Sequence, residues 1–205
     1  MRFLALGDSY TMGEGVADAD RWPNQLARAL RAHDIDIDDP LILARTAWTT
    51  DELSDAIDAS GLRDRFDLVT LMVGVNDQYR SRPVRAFAGE FELLLRRAKG
   101  FAGRRPRRVI ALSIPDWGAT PFARQRNREA IAREIDAYNA RAHELAALAG
   151  VRWVDVTTAS RGMQDDPTLA TSDGLHPSAE MYRRWMELVL PAARGALARR
   201  ARARG

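Results

Sequence analysis

Residues 3–6 form an apolar run that stops abruptly at Gly7-Asp8-Ser9. An unbroken apolar run marks a strand buried on both faces in a parallel sheet, and a glycine at its end permits a tight turn. Ser9 is thereby expected just past the carboxyl end of a first strand, at the edge where open α/β sheets bind ligands. A reactive serine there needs partners delivered to the same edge by the rest of the chain.

Four more segments have strand character: residues 41–44, 67–74, 108–113 and 151–156. Between them lie helical stripes. Trp22, Leu26 and Leu30 recur at i, i+4 and i+8 behind Pro23, and a short helix after residue 49 takes Thr50 or Asp51 as its cap. Phe87, Phe91, Leu94 and Leu95 mark a helix over 84–99; Ile131, Ile135, Tyr138 and Leu145 mark one over 126–149. A last helix runs through Met181, Trp185, Leu188 and Val189. Parallel neighbours need crossovers of this length, so five strands alternating with helices predict an α/β fold with a doubly wound parallel sheet. No repeat or linker divides it, which leaves one domain over 1–193 and a tail over 194–205.

The 205 residues are 46% hydrophobic and 29% charged, an ordinary globular balance. No apolar run approaches the roughly 20 residues that cross a bilayer, and the chain enters its first strand without a signal pattern. It therefore reads as cytoplasmic, a pattern that removal of a leader would equally leave. The absence of cysteine excludes disulfides, thiolate metal sites and a cysteine nucleophile.

A pI near 9.8 suggests nucleic acid until the charge is located. Five arginines (Arg194, Arg199, Arg200, Arg202 and Arg204) and no acid fall in the last twelve residues; taking five charges from the net +3 leaves −2. The body is near neutral, so no nucleic-acid partner is expected, and the tail reads as a solvated helix end. Arg104, Arg105, Arg107 and Arg108 read as a solvated turn before the fourth strand.

The unusual polar motifs each follow a strand: Gly7-Asp8-Ser9, then Thr46-Ala47-Trp48-Thr49-Thr50, then Gly74-Val75-Asn76-Asp77, then, after a longer loop, Asp173-Gly174-Leu175-His176-Pro177. Asp173 and His176 lie three apart, close enough for the carboxylate to hold the imidazole tautomer and stabilise its protonated form. A hydroxyl needs a neighbouring base to become nucleophilic, so Ser9, His176 and Asp173 are a minimal acyl-transfer set. An oxyanion would find donors in the Ser9 N–H, the Ala47 N–H and the Asn76 side-chain amide. Trp48 and Trp117 occupy rim loops where they can line a substrate pocket, with Tyr79 and Tyr10 behind them. Trp22, Trp153 and Trp185 read as core; Asp8 and Asp77 as turn or capping residues; His33 and His143 as outside the chemistry.

These blocks resemble those of the SGNH hydrolases, the GDSL esterase/lipase family. The first block is matched by Gly7-Asp8-Ser9 with Tyr10 in place of leucine, the third by Gly74-Val75-Asn76-Asp77, the fifth by Asp173 to Pro177. The resemblance implies a flavodoxin-like three-layer sandwich of strand order 2-1-3-4-5, a Ser9–His176–Asp173 triad, and no metal or organic cofactor. The second block departs, with Ala47 where the family has glycine; alanine keeps the N–H but is strained if its φ is positive.

The expected activity is hydrolysis of small or short-chain carboxylic esters, because no stretch reads as a large lid; a thioesterase or carbohydrate deacetylase is a variant of it. A flavodoxin-like binding module is the competing reading, weakened by the lack of a phosphate-cradling glycine motif. A pseudoenzyme, damaged at Ala47, is the third. Natural ester and oligomeric state are not legible.

Overall fold

Burial along the whole of β1 (Phe3–Gly7) explains its unbroken apolar sequence: it is an interior strand of a sheet, paired on both sides. The computed structural model describes residues 1–198. With β1 run β2 (Leu41–Ala44), β3 (Leu68–Met72), β4 (Val109–Leu112) and β5 (Arg152–Val154), all parallel, in the order β2-β1-β3-β4-β5. The helices are α1 (Ser9–Met12), α2 (Trp22–Arg31), α3 (Thr50–Ala59), α4 (Val75–Tyr79), α5 (Val84–Phe101), α6 (Arg128–Leu148), α7 (Thr157–Ser160) and α8 (Ala179–Leu197). The first and last long helices, α2 and α8, pack together, while α5 packs between α3 and α6, giving the three layers that the alternation predicts. Trp22, Leu26 and Leu30 of α2 and Met181, Trp185 and Val189 of α8 are fully buried.

The edges depart from the sequence reading. Trp153 lies on edge strand β5 and is only half-buried, stacked on His143 at 5.3 Å and 17°. Leu188, expected on the inward stripe of α8, is 45% exposed, since the stripe that faces the sheet runs through Trp185 and Val189. The cap of α3 is Thr49 rather than Thr50 or Asp51: Glu52 reaches back to accept the Thr49 N–H at 2.8 Å, as in a capping box. Arg108 does not belong to a solvated turn; it pairs with Asp67 at 2.6 Å. Helix α8 carries the fold past residue 193 to Leu197, which is buried. Arg199, Arg200, Arg202 and Arg204 lie outside the described residues.

Gly7 is needed for space rather than for a left-handed turn. Its φ is not positive, and a Cβ built on it would lie 2.1 Å from Thr11 Oγ1 and 2.5 Å from the Met72 carbonyl oxygen. The close approach of α1 and β3 to the end of β1 holds the Ser9 turn against the sheet. Replacing Gly7 with Ala is expected to destabilise the fold by about 1–3 kcal/mol through overpacking. A denaturant midpoint equal to that of the parent chain would refute this account.

Candidate active site

Asp8 ends the first strand and caps α1, its Oδ1 accepting the Tyr10 N–H at 3.0 Å. That cap makes Ser9 the first helical residue, whose N–H has no acceptor within the helix. The Ser9 hydroxyl lies 3.0 Å from His176 Nε2, across 167 positions of sequence. On the other side of the ring, Nδ1 is 2.6 Å from Asp173 Oδ2. Asp173 Oδ1 accepts the Thr171 hydroxyl and the N–H groups of Leu175 and His176, at 2.8, 2.8 and 3.0 Å. Burial works to raise the Asp173 carboxyl, but the bonds from His176, Leu175 and Thr171 prevail and bring it down to about 2. It is an anion throughout the neutral range, oriented by its own loop.

That loop turns at Gly174, whose φ of 70° only glycine adopts readily. It is tied back by Thr171 N–H to the His176 carbonyl at 2.7 Å and by Phe122 N–H to the Gly174 carbonyl at 2.9 Å. The Tyr10 ring sits 5.3 Å from the imidazole, tilted by 49°, and backs onto Trp185.

Ser9, Ala47 and Asn76 all line one cleft of about 200 Å³, together with His176. Asn76 Nδ2 donates one hydrogen to the Trp48 carbonyl at 2.9 Å. An amide nitrogen carries two hydrogens, so this bond fixes the amide and leaves the second for a ligand. Asp77 accepts both the N–H and the hydroxyl of Thr50, at 3.0 and 2.8 Å, locking the start of α3 to α4. The Arg45–Trp48 turn closes with a 3.3 Å bond, and Arg80 holds the Ala47 carbonyl at 2.8 Å.

Ala47 has φ of 68°, at the third residue of that turn, where a type II turn favours glycine. The left-handed region costs a residue with a Cβ about 1 kcal/mol or more. The strain expected of alanine here is therefore present in the fold.

The rim is aromatic. Trp117 is buried beside Tyr79 and Phe122, both of them exposed, and all three line the cleft. Trp48 does not line it; the side chain packs against the core and only its carbonyl serves the site. Residues 46, 75, 122 and 175 also line the cleft. Thr46, Val75 and Leu175 lie inside motifs already singled out for other members, whereas nothing local to Phe122 marks it. Among the described residues, no group of three His, Asp or Glu side chains is placed to hold a metal ion, and no helix is long and apolar enough to cross a membrane.

Asp8 Oδ2 is buried and has no hydrogen-bond partner among the described residues. Burial, with the nearby charge of Asp77, pushes the carboxyl up to about 8.

A hydroxyl, an imidazole and a carboxylate stand in hydrogen-bonded file at the carboxyl rim of a parallel sheet, the arrangement by which a serine can be activated for acyl transfer. The GDSL-like lipase/acylhydrolase family model matches residues 5–184, and the chain belongs to that family. Its fold is shared with the lipase/acylhydrolase from Enterococcus faecalis at TM-score 0.76 and 21% identity, covering 97% of this chain and 98% of that one. TesA superposes at TM-score 0.75 and 20% identity, over 96% of this chain and 100% of its own. Axe2, an acetylxylan esterase from Geobacillus stearothermophilus, does so at 0.69 and 16%, over 97% and 94%. No curated protein matches the sequence.

Two substitutions test the strained and desolvated positions. Ala47→Gly relieves the positive φ and retains the N–H, so it is expected to raise stability by about 1 kcal/mol. A lower melting temperature in that variant would contradict the assignment of strain.

For Asp8, the folded carboxyl keeps its proton to about pH 8 while the unfolded one releases it near 3.8. The native state thus binds more protons between these values, and stability falls as pH rises through that window, by up to about 1.4 kcal/mol per pH unit. Asp8→Asn keeps an acceptor for the Tyr10 N–H and cannot ionise. Its melting temperature should gain on the parent's steadily from pH 5 to pH 8; a constant difference would show that Asp8 does not titrate.

Proposed function

We propose that the chain hydrolyses small or short-chain carboxylic esters through an acyl-enzyme on Ser9, with His176 as general base and acid and Asp173 as its orienting anion. The observation that carries this reading is the file from Asp173 Oδ2 through the imidazole to Ser9 Oγ, at 2.6 and 3.0 Å. As the Ser9 oxygen attacks the ester carbonyl, its proton passes to His176 Nε2. The ring then carries a positive charge that ionised Asp173 stabilises from the far side.

The carbonyl oxygen becomes an oxyanion, and the N–H groups of Ser9 and Ala47 and the free Asn76 hydrogen are its donors. Collapse expels the alcohol, which takes the proton back from His176. Water then enters, loses a proton to the same nitrogen and releases the acid from Ser9. The small cleft supports a compact acyl group over a bulk lipid chain.

A fluorophosphonate is expected to label the protein once, at Ser9, and to leave Ser9→Ala and His176→Ala unlabelled. On p-nitrophenyl acetate, Asp173→Asn should lower kcat about 10⁴-fold, by analogy with other serine triads. Asn76→Ala should lower it about 10²- to 10³-fold through loss of an oxyanion donor. A folded parent chain that resists the fluorophosphonate would point instead to a binding protein on this scaffold.

A further inference from the structure

We propose that Trp117 sets the upper limit on acyl-chain length, and that Gln78 and Glu134 are positioning residues that hold it; the proposal rests on the ester-hydrolase reading of Ser9. Trp117 forms part of the wall of the cleft of about 200 Å³ that also holds Ser9 and His176. Trp117 is 6% exposed, while the rings that meet it edge-on, Tyr79 and Phe122, are 50% and 43% exposed. Trp117 is thus the buried ring of the three that line the cleft, and the other two flank it at the surface.

The indole does not depend on packing alone. Its N–H donates to Gln78 Oε1 at 2.7 Å, and Gln78 Nε2 donates to Glu134 Oε2 at 2.7 Å. A carboxylate accepts and never donates, so Glu134 obliges the amide nitrogen to face it and turns the amide oxygen toward Trp117. Were the ring to swing aside, a buried N–H would lose its acceptor.

The backbone of the loop is pinned as well. The Trp117 carbonyl accepts the Thr120 hydroxyl at 2.6 Å. Asp116 accepts the Gly118 N–H at 2.9 Å and is held by Arg161 at 2.9 Å. An acyl chain that outgrows the cleft therefore meets a wall fixed at side chain and backbone rather than a ring that can yield. The chemical class this admits is an ester of a short acid. Longer chains are refused at the acyl end whatever the alcohol.

The test reads the ratio of kcat/KM for p-nitrophenyl octanoate to that for p-nitrophenyl butyrate, with fluorophosphonate labelling alongside. Trp117→Ala should raise the ratio about ten-fold or more, the range in which a pocket discriminates by methylenes, chiefly through a lower KM for the octanoate. Gln78→Leu should move it the same way by less.

The exchange Gln78→Glu with Glu134→Gln restores an acceptor for the indole and a donor to hold that acceptor, and should return the parent ratio, which a merely structural role for Gln78 would not require. If the alanine variant fails to fold, Trp117→Phe carries the test with a smaller ring and a smaller rise. An unchanged ratio in a folded, labelled Trp117 variant overturns this proposal alone. A parent chain that takes no fluorophosphonate and cleaves no ester overturns the hydrolase reading, and this proposal with it.

Discussion

A parallel sheet brings the carboxyl ends of all its strands to one rim, and each polar group of the cleft hangs from that rim. The consequence is largest for Ser9 and His176. A bond of 3.0 Å joins groups 167 residues apart, and no local device makes it. It exists because β1 is an interior strand of the sheet and because the loop before α8 folds back over the carboxyl end of that strand. The apolar burial that stabilises the three layers is also what fixes the imidazole within proton-transfer distance of the hydroxyl.

The site is also where the chain tolerates what it avoids elsewhere. Ala47 sits at a positive φ, and Asp8 buries a carboxyl oxygen with no partner among the described residues. Ala47 is one of the proposed oxyanion donors and Asp8 precedes another, Ser9. Strain and desolvation of this kind persist only where surrounding structure over-determines them. Around Ala47 the Arg80 bond to its carbonyl, from the residue that follows α4, and the bonds from Thr50 of α3 to Asp77 of α4 supply that restraint. Trp117 is restrained in a related way, by a buried amide whose direction a carboxylate decides.

Much of this was legible in the residues. The parallel sheet, the placement of Ser9, Ala47 and Asn76 along one cleft, and the pairing of Asp173 with His176 follow from short motifs placed just after apolar runs, while the strand order came only from the resemblance to the GDSL family. Other expectations failed for identifiable reasons. Trp153 and Leu188 are apolar by type, but one lies on an edge strand and the other on the outer flank of its helix, and residue type carries neither fact. Trp48 and Trp117 are equivalent on paper, each an aromatic in a rim loop. In the fold Trp48 is half-buried against the core and away from the cleft, whereas Trp117 is buried and lines it.

The sequence by itself determined the fold class, the rim on which the polar motifs gather and the identity of the hydroxyl, imidazole, carboxylate and amide that meet there, because periodicity and strand-end motifs are local signals. Only the tertiary structure decided that Gly7 is a matter of space, that Ala47 is strained and that Gln78 holds Trp117. Each of those depends on an atom brought close from a distant segment: Thr11 and Met72 packed over Gly7, a turn closed around Ala47, Glu134 of α6 set beside α4. Contacts between segments are created by packing, and packing is a property of the whole chain at once.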